Sequence, residues 1–147
     1  MWNYPTENVI DELIAFINKD KCIEIGAGAG AWSFMLQEKA VNIVATDDGS
    51  EYDKHSKLYT DIYKLSAKDA ACEFDSCNVI LAAWPRQFLY DALAVFQGEK
   101  FIFVGETDDG CTASINDGDF GFKLEGEIEL YRSYAGINDK VLLYSRE

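Results

Sequence analysis

Short apolar runs alternate with amphipathic stretches along most of the chain, a pattern that predicts an α/β protein. Val9, Ile10, Leu13, Ile14 and Ile17 form one helical stripe with Asp11, Glu12 and Asn18 outside it, so a helix is expected over Thr6–Asn18. Lys21–Ile25 reads as the first strand, followed by Gly26, Gly28 and Gly30 at alternate positions. Ala31, Phe34 and Met35 recur at helical spacing, which predicts a helix over Gly30–Lys39, and Val41–Thr46 reads as the second strand. Asp48–Lys57 is polar and turn-rich, hence a surface loop. Leu58–Leu65 is a weaker third strand, and Ser66–Cys72 a short helical turn with Ser66 as its N-cap. Cys77–Ala83 is a continuous apolar run, suited to a strand covered on both faces. Arg86–Gln97 carries Phe88, Leu89, Ala92, Leu93 and Phe96 on one helical face, with Gly98 as its stop, and Phe101–Val104 is the fifth strand. A loop-like stretch follows. Glu127–Arg132 and Val141–Ser145 can then pair as an antiparallel hairpin at the sheet edge. Right-handed crossovers make this a doubly wound, mostly parallel seven-stranded sheet with a C-terminal antiparallel hairpin, in one domain over residues 1–147.

The stretch Lys21–Asp48 carries the candidate chemistry. Its glycines allow a sharp turn and let a ligand approach without meeting a Cβ. The helix they open offers unpaired N–H groups and the positive end of a dipole. Asp47, at the end of the second strand, is placed to accept hydrogen bonds from two ribose hydroxyls. Two motifs fit the loop. Gly26-x-Gly28-x-x-Ala31 matches the dinucleotide fingerprint, whereas Glu24-x-Gly26-x-Gly28-x-Gly30 matches the first motif of S-adenosylmethionine-dependent methyltransferases. Glu24 separates them: a charge inside a buried strand is costly unless paired, and the dinucleotide pattern has no use for one there.

Composition narrows the classes. With 147 residues and 48% apolar side chains, one domain can bury a substantial core. The four cysteines form no CxxC pair, which speaks against a disulfide framework or zinc site, and a reducing cytoplasm fits best. No metal-ligand set is read. No apolar run reaches transmembrane length, and the N-terminus has neither the basic start nor the apolar middle of a secretory signal. The net charge of −13 repels a phosphate backbone and an anionic membrane alike, so generic nucleic-acid binding is not expected. The acids are scattered rather than set in runs, as on a solvated surface. His55, the one histidine, falls among Asp and Lys in the surface loop.

Glu24-Ile-Gly-Ala-Gly-Ala-Gly30, Asp47 and the closing hairpin resemble a small class I S-adenosylmethionine-dependent methyltransferase over nearly the whole chain. Trp84-Pro85, Gly98-Glu99-Lys100, Val104-Gly105-Glu106 and Gly110-Cys111-Thr112 resemble, more narrowly, a methyltransferase-like group with a Trp-Pro pair after strand four. The resemblance implies S-adenosylmethionine as cofactor, with Glu24, Gly26, Ala27, Gly28, Gly30 and Asp47 around it. In such a protein the acid at Glu24 helps hold the loop and the cationic amino-acid end of the cofactor. Trp32, equally readable as a core residue, and Asp48 are further candidate contacts, as are Ser66 and Ala67, since the third strand of such a fold ends beside the adenine; Asp61 is another. Trp2 and Tyr4, beside the first helix start, read first as packing residues, with reach over the cofactor mouth as the alternative. For the acceptor side the candidates are Trp84, Pro85 and Glu106, with Cys111 nearby. One departure matters. Ala82-Ala83-Trp84-Pro85 replaces the Asp/Asn/Ser-Pro-Pro-aromatic motif of many amino-group methyltransferases, which argues against base methylation. The expected partner is a small-molecule or protein methyl acceptor. The alternatives are a non-catalytic S-adenosylmethionine-binding module and an acidic protein-interaction module on the same fold.

Overall fold

A computed structural model describes residues 6–50, 57–106, 112–130 and 139–147. Trp2, Tyr4, His55, Gly110, Cys111 and Arg132 lie outside the described residues. Among the described residues, four α-helices and seven strands follow in the order α1 (Glu7–Ile17), β1 (Cys22–Ile25), α2 (Ala31–Gln37), β2 (Ile43–Asp47), β3 (Ile62–Lys64), α3 (Ala67–Glu73), β4 (Val79–Ala83), α4 (Phe88–Val95), β5 (Lys100–Gly105), β6 (Phe122–Glu129) and β7 (Lys140–Arg146). The sheet runs β3-β2-β1-β4-β5-β7-β6. Its first five strands are parallel, and β7 is antiparallel to both β5 and β6. The predicted hairpin therefore adds to the sheet with its second strand inward, and β6 forms the edge.

Period-two alternation splits the core into two layers. Ile23 and Ile25 of β1, Ile80 and Ala82 of β4, and Phe101 and Phe103 of β5 meet α3 and α4. Cys22, Val79, Leu81, Ile102 and Val104 point the other way, onto α1 and α2. The α1 stripe is buried as its spacing requires. Thr6 caps this helix by accepting from the Val9 N–H, and Asn18, left-handed at φ 51°, ends it. Lys100 ties that end to the sheet: Nζ donates to the Phe16 carbonyl (2.9 Å), the Ile17 carbonyl (3.3 Å) and Asp20 Oδ2 (3.0 Å). Hydrogen bonds from Asn78 and then from Lys100 hold the Asp20 carboxyl below its ordinary range.

Several boundaries differ from the sequence reading. Helix α2 stops at Gln37, because Ala40 takes a left-handed conformation (φ 64°) and Val41 N–H closes back on the Leu36 carbonyl at 3.1 Å. Strand β3 has only three residues, since the chain before it is used elsewhere: the Tyr59 N–H bonds the Ala29 carbonyl (2.8 Å) and Thr60 Oγ1 bonds Gln37 (2.9 Å). Gly98 is not a left-handed helix stop. Helix α4 ends at Val95 as Phe96 turns extended, and Gly98 serves close approach instead: a Cβ there would stand 2.7 Å from the Asn78 carbonyl oxygen. Strand β6 begins at Phe122, five residues before the expected Glu127; a bulge between Leu124 and Gly126 breaks its alternation. No helix among the described residues is long and apolar enough to cross a membrane.

Candidate functional site

The strand order brings the chemistry-bearing residues to one edge of the sheet. Going across β2, β1, β4 and β5, the carboxyl ends carry Asp47, the glycine loop, Trp84-Pro85 and Glu106 in turn. The chain direction of growth reverses between β1 and β4, the point at which open α/β sheets bind ligands.

The glycine loop is a built structure. Gly26, Gly28 and Gly30 all have positive φ (60°, 59° and 84°), which L-residues adopt at a cost. The Ala27 N–H bonds the Thr46 carbonyl (2.8 Å), and the Gly30 N–H closes a turn on the Ala27 carbonyl (2.9 Å). Asp47 braces the loop from the side. Its Oδ2 accepts from the Gly28 N–H at 2.9 Å and its Oδ1 from the Gly49 N–H at 2.7 Å. Each oxygen keeps a second lone pair for a ligand hydroxyl. A Cβ on Gly28 would meet nothing within 4 Å, although the residue is half-buried, so there is open space in the middle of the loop. At Gly26 the same construction meets the ring tip of Phe88.

Glu24 lies beneath the loop, 1% exposed, on the face of β1 that meets α2. Its Oε1 accepts from Ser33 Oγ (2.7 Å) and from the Ser33 N–H (3.2 Å). Burial pushes its carboxyl up to about 8, against the pull of the Ser33 bonds. At neutral pH it is largely protonated, and what it holds is the first turn of α2. Ser33, fully buried, is its partner and was not singled out from the sequence. A polar side chain on the inner face of the helix next to a buried acid is the signal that could have found it.

For Trp32 the packing alternative describes its surroundings. Only 3% exposed, it belongs to the core layer of α1 and α2 with Val9, Leu13 and Leu36. Asp48 is exposed and closes a turn by accepting from the Ser50 N–H at 2.8 Å, a bond that lowers its carboxyl from the ordinary range. Ser66 caps α3 by accepting from the Asp69 N–H at 3.1 Å, and the Ala67 side chain is buried in the α3/α4 layer. Both stand at the end of β3, beside Asp47, whose carbonyl accepts from the Leu65 N–H at 3.1 Å. Asp61 is exposed.

On the other side, Trp84 holds a left-handed backbone (φ 54°) immediately before Pro85. For a bulky residue that conformation costs about 1–3 kcal/mol and is held only by its surroundings. Those are visible: the Trp84 N–H bonds the Val104 carbonyl at 2.6 Å, and the buried Pro85 offers its carbonyl to the Ala113 N–H at 2.9 Å. Glu106 follows β5 and is half-buried. Thr112, unnoticed in the sequence except as part of a motif, fixes its backbone. Thr112 Oγ1 accepts from the Glu106 N–H (3.1 Å) and donates to the Glu106 carbonyl (2.7 Å). The Glu106 carboxylate has no hydrogen-bond partner among the described residues.

This is the class I methyltransferase fold. Magnesium protoporphyrin IX methyltransferase from Synechocystis PCC 6803, solved with bound S-adenosylmethionine, superposes with a TM-score of 0.66 at 10% identity, covering 95% of this chain and 79% of that one. The 1,6-didemethyltoxoflavin-N1-methyltransferase of Burkholderia thailandensis, solved with S-adenosylhomocysteine, gives 0.63 at 13% identity over 95% and 77%. The methyltransferase domain of a bacterial Hen1 gives 0.65 at 8% identity over 94% and 96%. No protein-family model and no curated protein sequence matches the chain. At these identities the likeness is one of fold.

Proposed function

We propose that this protein is an S-adenosylmethionine-dependent methyltransferase acting on a small molecule or a protein side chain. The observation that carries the reading is the alignment along the sheet edge: Asp47, an open glycine loop and Trp84 with Glu106 stand on successive strands. The residues fit the cofactor. The space over Gly28 admits a ligand to the backbone, and Asp47 has acceptor capacity for two hydroxyls while it braces the loop. Structural neighbours solved with S-adenosylmethionine or S-adenosylhomocysteine support the same choice.

S-adenosylmethionine supplies a methyl group on a positively charged sulfur, so the departing thioether is neutral and needs no acid. The chain's own residues then have two tasks: to hold the reactants in line and to exclude water. Asp47, Ala27, Gly28 and Gly30 fix the ribose side, with Asp48, Ser66 and Ala67 flanking the adenine side. Glu24 and Ser33 keep the helix that the loop opens in place. Trp84 and Pro85 form the wall of the acceptor side, where the indole face attracts a cationic or amine-bearing acceptor. Glu106, at the end of the neighbouring strand, orients an acceptor nitrogen and takes the proton it releases. The net charge of −13 favours a small or basic acceptor over a nucleic acid.

The test is calorimetric titration with S-adenosylmethionine, S-adenosylhomocysteine and NAD. Binding of the first two but not the third is expected. Asp47→Ala should weaken S-adenosylmethionine by about 1–3 kcal/mol, roughly 5- to 150-fold, with the fold retained. Equal affinity in the variant would refute the ribose assignment, and binding of NAD alone would refute the cofactor.

A further inference from the structure

We infer that Phe88 limits the size of the group that the site accepts on the cofactor sulfur. The inference rests on the cofactor reading above and begins from strand order. Strand β1 lies between β2 and β4, with neighbouring strands about 4.8 Å apart. Asp47 anchors the ribose at the end of β2, and Trp84 and Glu106 receive the acceptor at the ends of β4 and β5. A group passed from one side to the other crosses the end of β1, at Gly26.

That crossing point is crowded on one side. Phe88 Cζ fills the direction a Gly26 Cβ would take, with Cε1 3.0 Å and Cε2 3.4 Å from that position. Two residues on, a Cβ built on Gly28 would meet nothing within 4 Å. The loop thus has room at Gly28 and a ring against Gly26. Phe88 is the first residue of α4 and packs on the α3/α4 layer, so the ring is backed by core. The turn just before it is pinned by the Trp84–Val104 and Pro85–Ala113 backbone bonds. These bonds hold the backbone that carries the ring. On the cofactor reading above, a methyl on the sulfur would stand beside this ring and a longer alkyl group would meet it.

The sequence reading placed Phe88 on the core face of its helix, and it does contact the core. Its reach to Gly26, 62 positions earlier, is visible only in three dimensions.

The experiment is calorimetric titration of the wild-type protein, Phe88→Leu and Phe88→Ala with S-adenosylmethionine, S-adenosylhomocysteine and S-adenosylethionine, the ethyl homologue. The wild type is expected to bind the methyl compound about tenfold or more tightly than the ethyl one, the range for one surplus methylene in an apolar pocket. Both variants are expected to bring the ratio to within about threefold. Equal affinity of the wild type for the two sulfonium compounds, or an unchanged ratio in the variants, overturns the role of Phe88 and leaves the cofactor reading standing. Failure of the wild type to bind either S-adenosylmethionine or S-adenosylhomocysteine overturns the cofactor reading itself. Phe88→Leu retains most of the apolar volume, and thermal melts establish that each variant is folded. Should neither variant fold, equal wild-type affinity for the two sulfonium compounds still overturns the proposal.

Discussion

Glu24→Gln is expected to abolish a pH dependence of stability that the wild-type protein shows between about pH 4.5 and pH 8. Burial raises the Glu24 carboxyl from its ordinary 4.5 to about 8 in the folded protein. Across that window the folded state keeps a proton that the unfolded state has lost. Stability therefore falls as pH rises: the contribution is complete below about 4.5 and gone above about 8. A gap of about 3.5 at 1.36 kcal/mol per unit corresponds to about 5 kcal/mol over the whole window. Glutamine keeps the oxygen that accepts from Ser33 Oγ and the Ser33 N–H, and it cannot ionise. The assay is thermal or urea unfolding of both proteins at unit steps from pH 4 to pH 9. The other carboxylates titrate equally in both proteins, so the difference curve isolates Glu24. The variant should gain on the wild type as pH rises, reaching a melting-temperature difference on the order of 10 °C at pH 9. Parallel curves would refute the claim that this carboxyl is buried and neutral beneath the loop.

Other outcomes follow from single contacts. Ser33→Ala removes the 2.7 Å hydroxyl bond and leaves Glu24 only the Ser33 N–H, a loss of about 1–3 kcal/mol by urea unfolding at pH 6. An unchanged midpoint would mean the buried acid does not depend on Ser33. Gly98→Ala drives a Cβ to 2.7 Å from the Asn78 carbonyl oxygen, a backbone atom with nowhere to go, and should cost about 1–3 kcal/mol. A neutral effect would show that the close approach does not constrain this residue. Lys100→Met removes three hydrogen bonds, two of which cap the end of α1. Because the ammonium is partly exposed, the loss should be modest, about 1–2 kcal/mol, with faster amide exchange confined to the last turn of α1. Uniformly faster exchange throughout the chain would contradict that local role.

The parts of the fold legible in the sequence are those where local pattern and tertiary environment agree. The α1 stripe, the apolar runs of β1, β4, β5 and β7, and the glycine loop all appear where periodicity places them. Errors arose where distant residues took over. Leu58–Asp61 looks like strand but is spent on the glycine loop and α2, through Tyr59 and Thr60. Strand β6 was read late because a bulge at Leu124–Gly126 spoils its alternation. Gly98 carries the signature of a helix stop, yet its need for a missing Cβ is set by Asn78, distant in sequence and just before β4. For Trp32, which follows the glycine loop directly, sequence left ligand contact and core packing open, and the fold puts the side chain in the α1/α2 layer.

The candidate site divides the same way. Residue types and spacing by themselves placed an acid two positions before the first of three alternate glycines, and a second acid at the end of the next strand. Those are local features, because strand, tight turn and helix follow one another within about 25 residues and backbone sterics dictate their order. Only the tertiary structure decided what each side chain touches. It gave Glu24 to Ser33 rather than to solvent, made Asp47 a brace for Gly28 and Gly49, let Thr112 fix Glu106, and brought Phe88 onto Gly26. The physical reason is that a neighbour's identity depends on strand order and on the register between elements. Both are fixed by burial of the whole sheet, to which no single stretch of sequence has access.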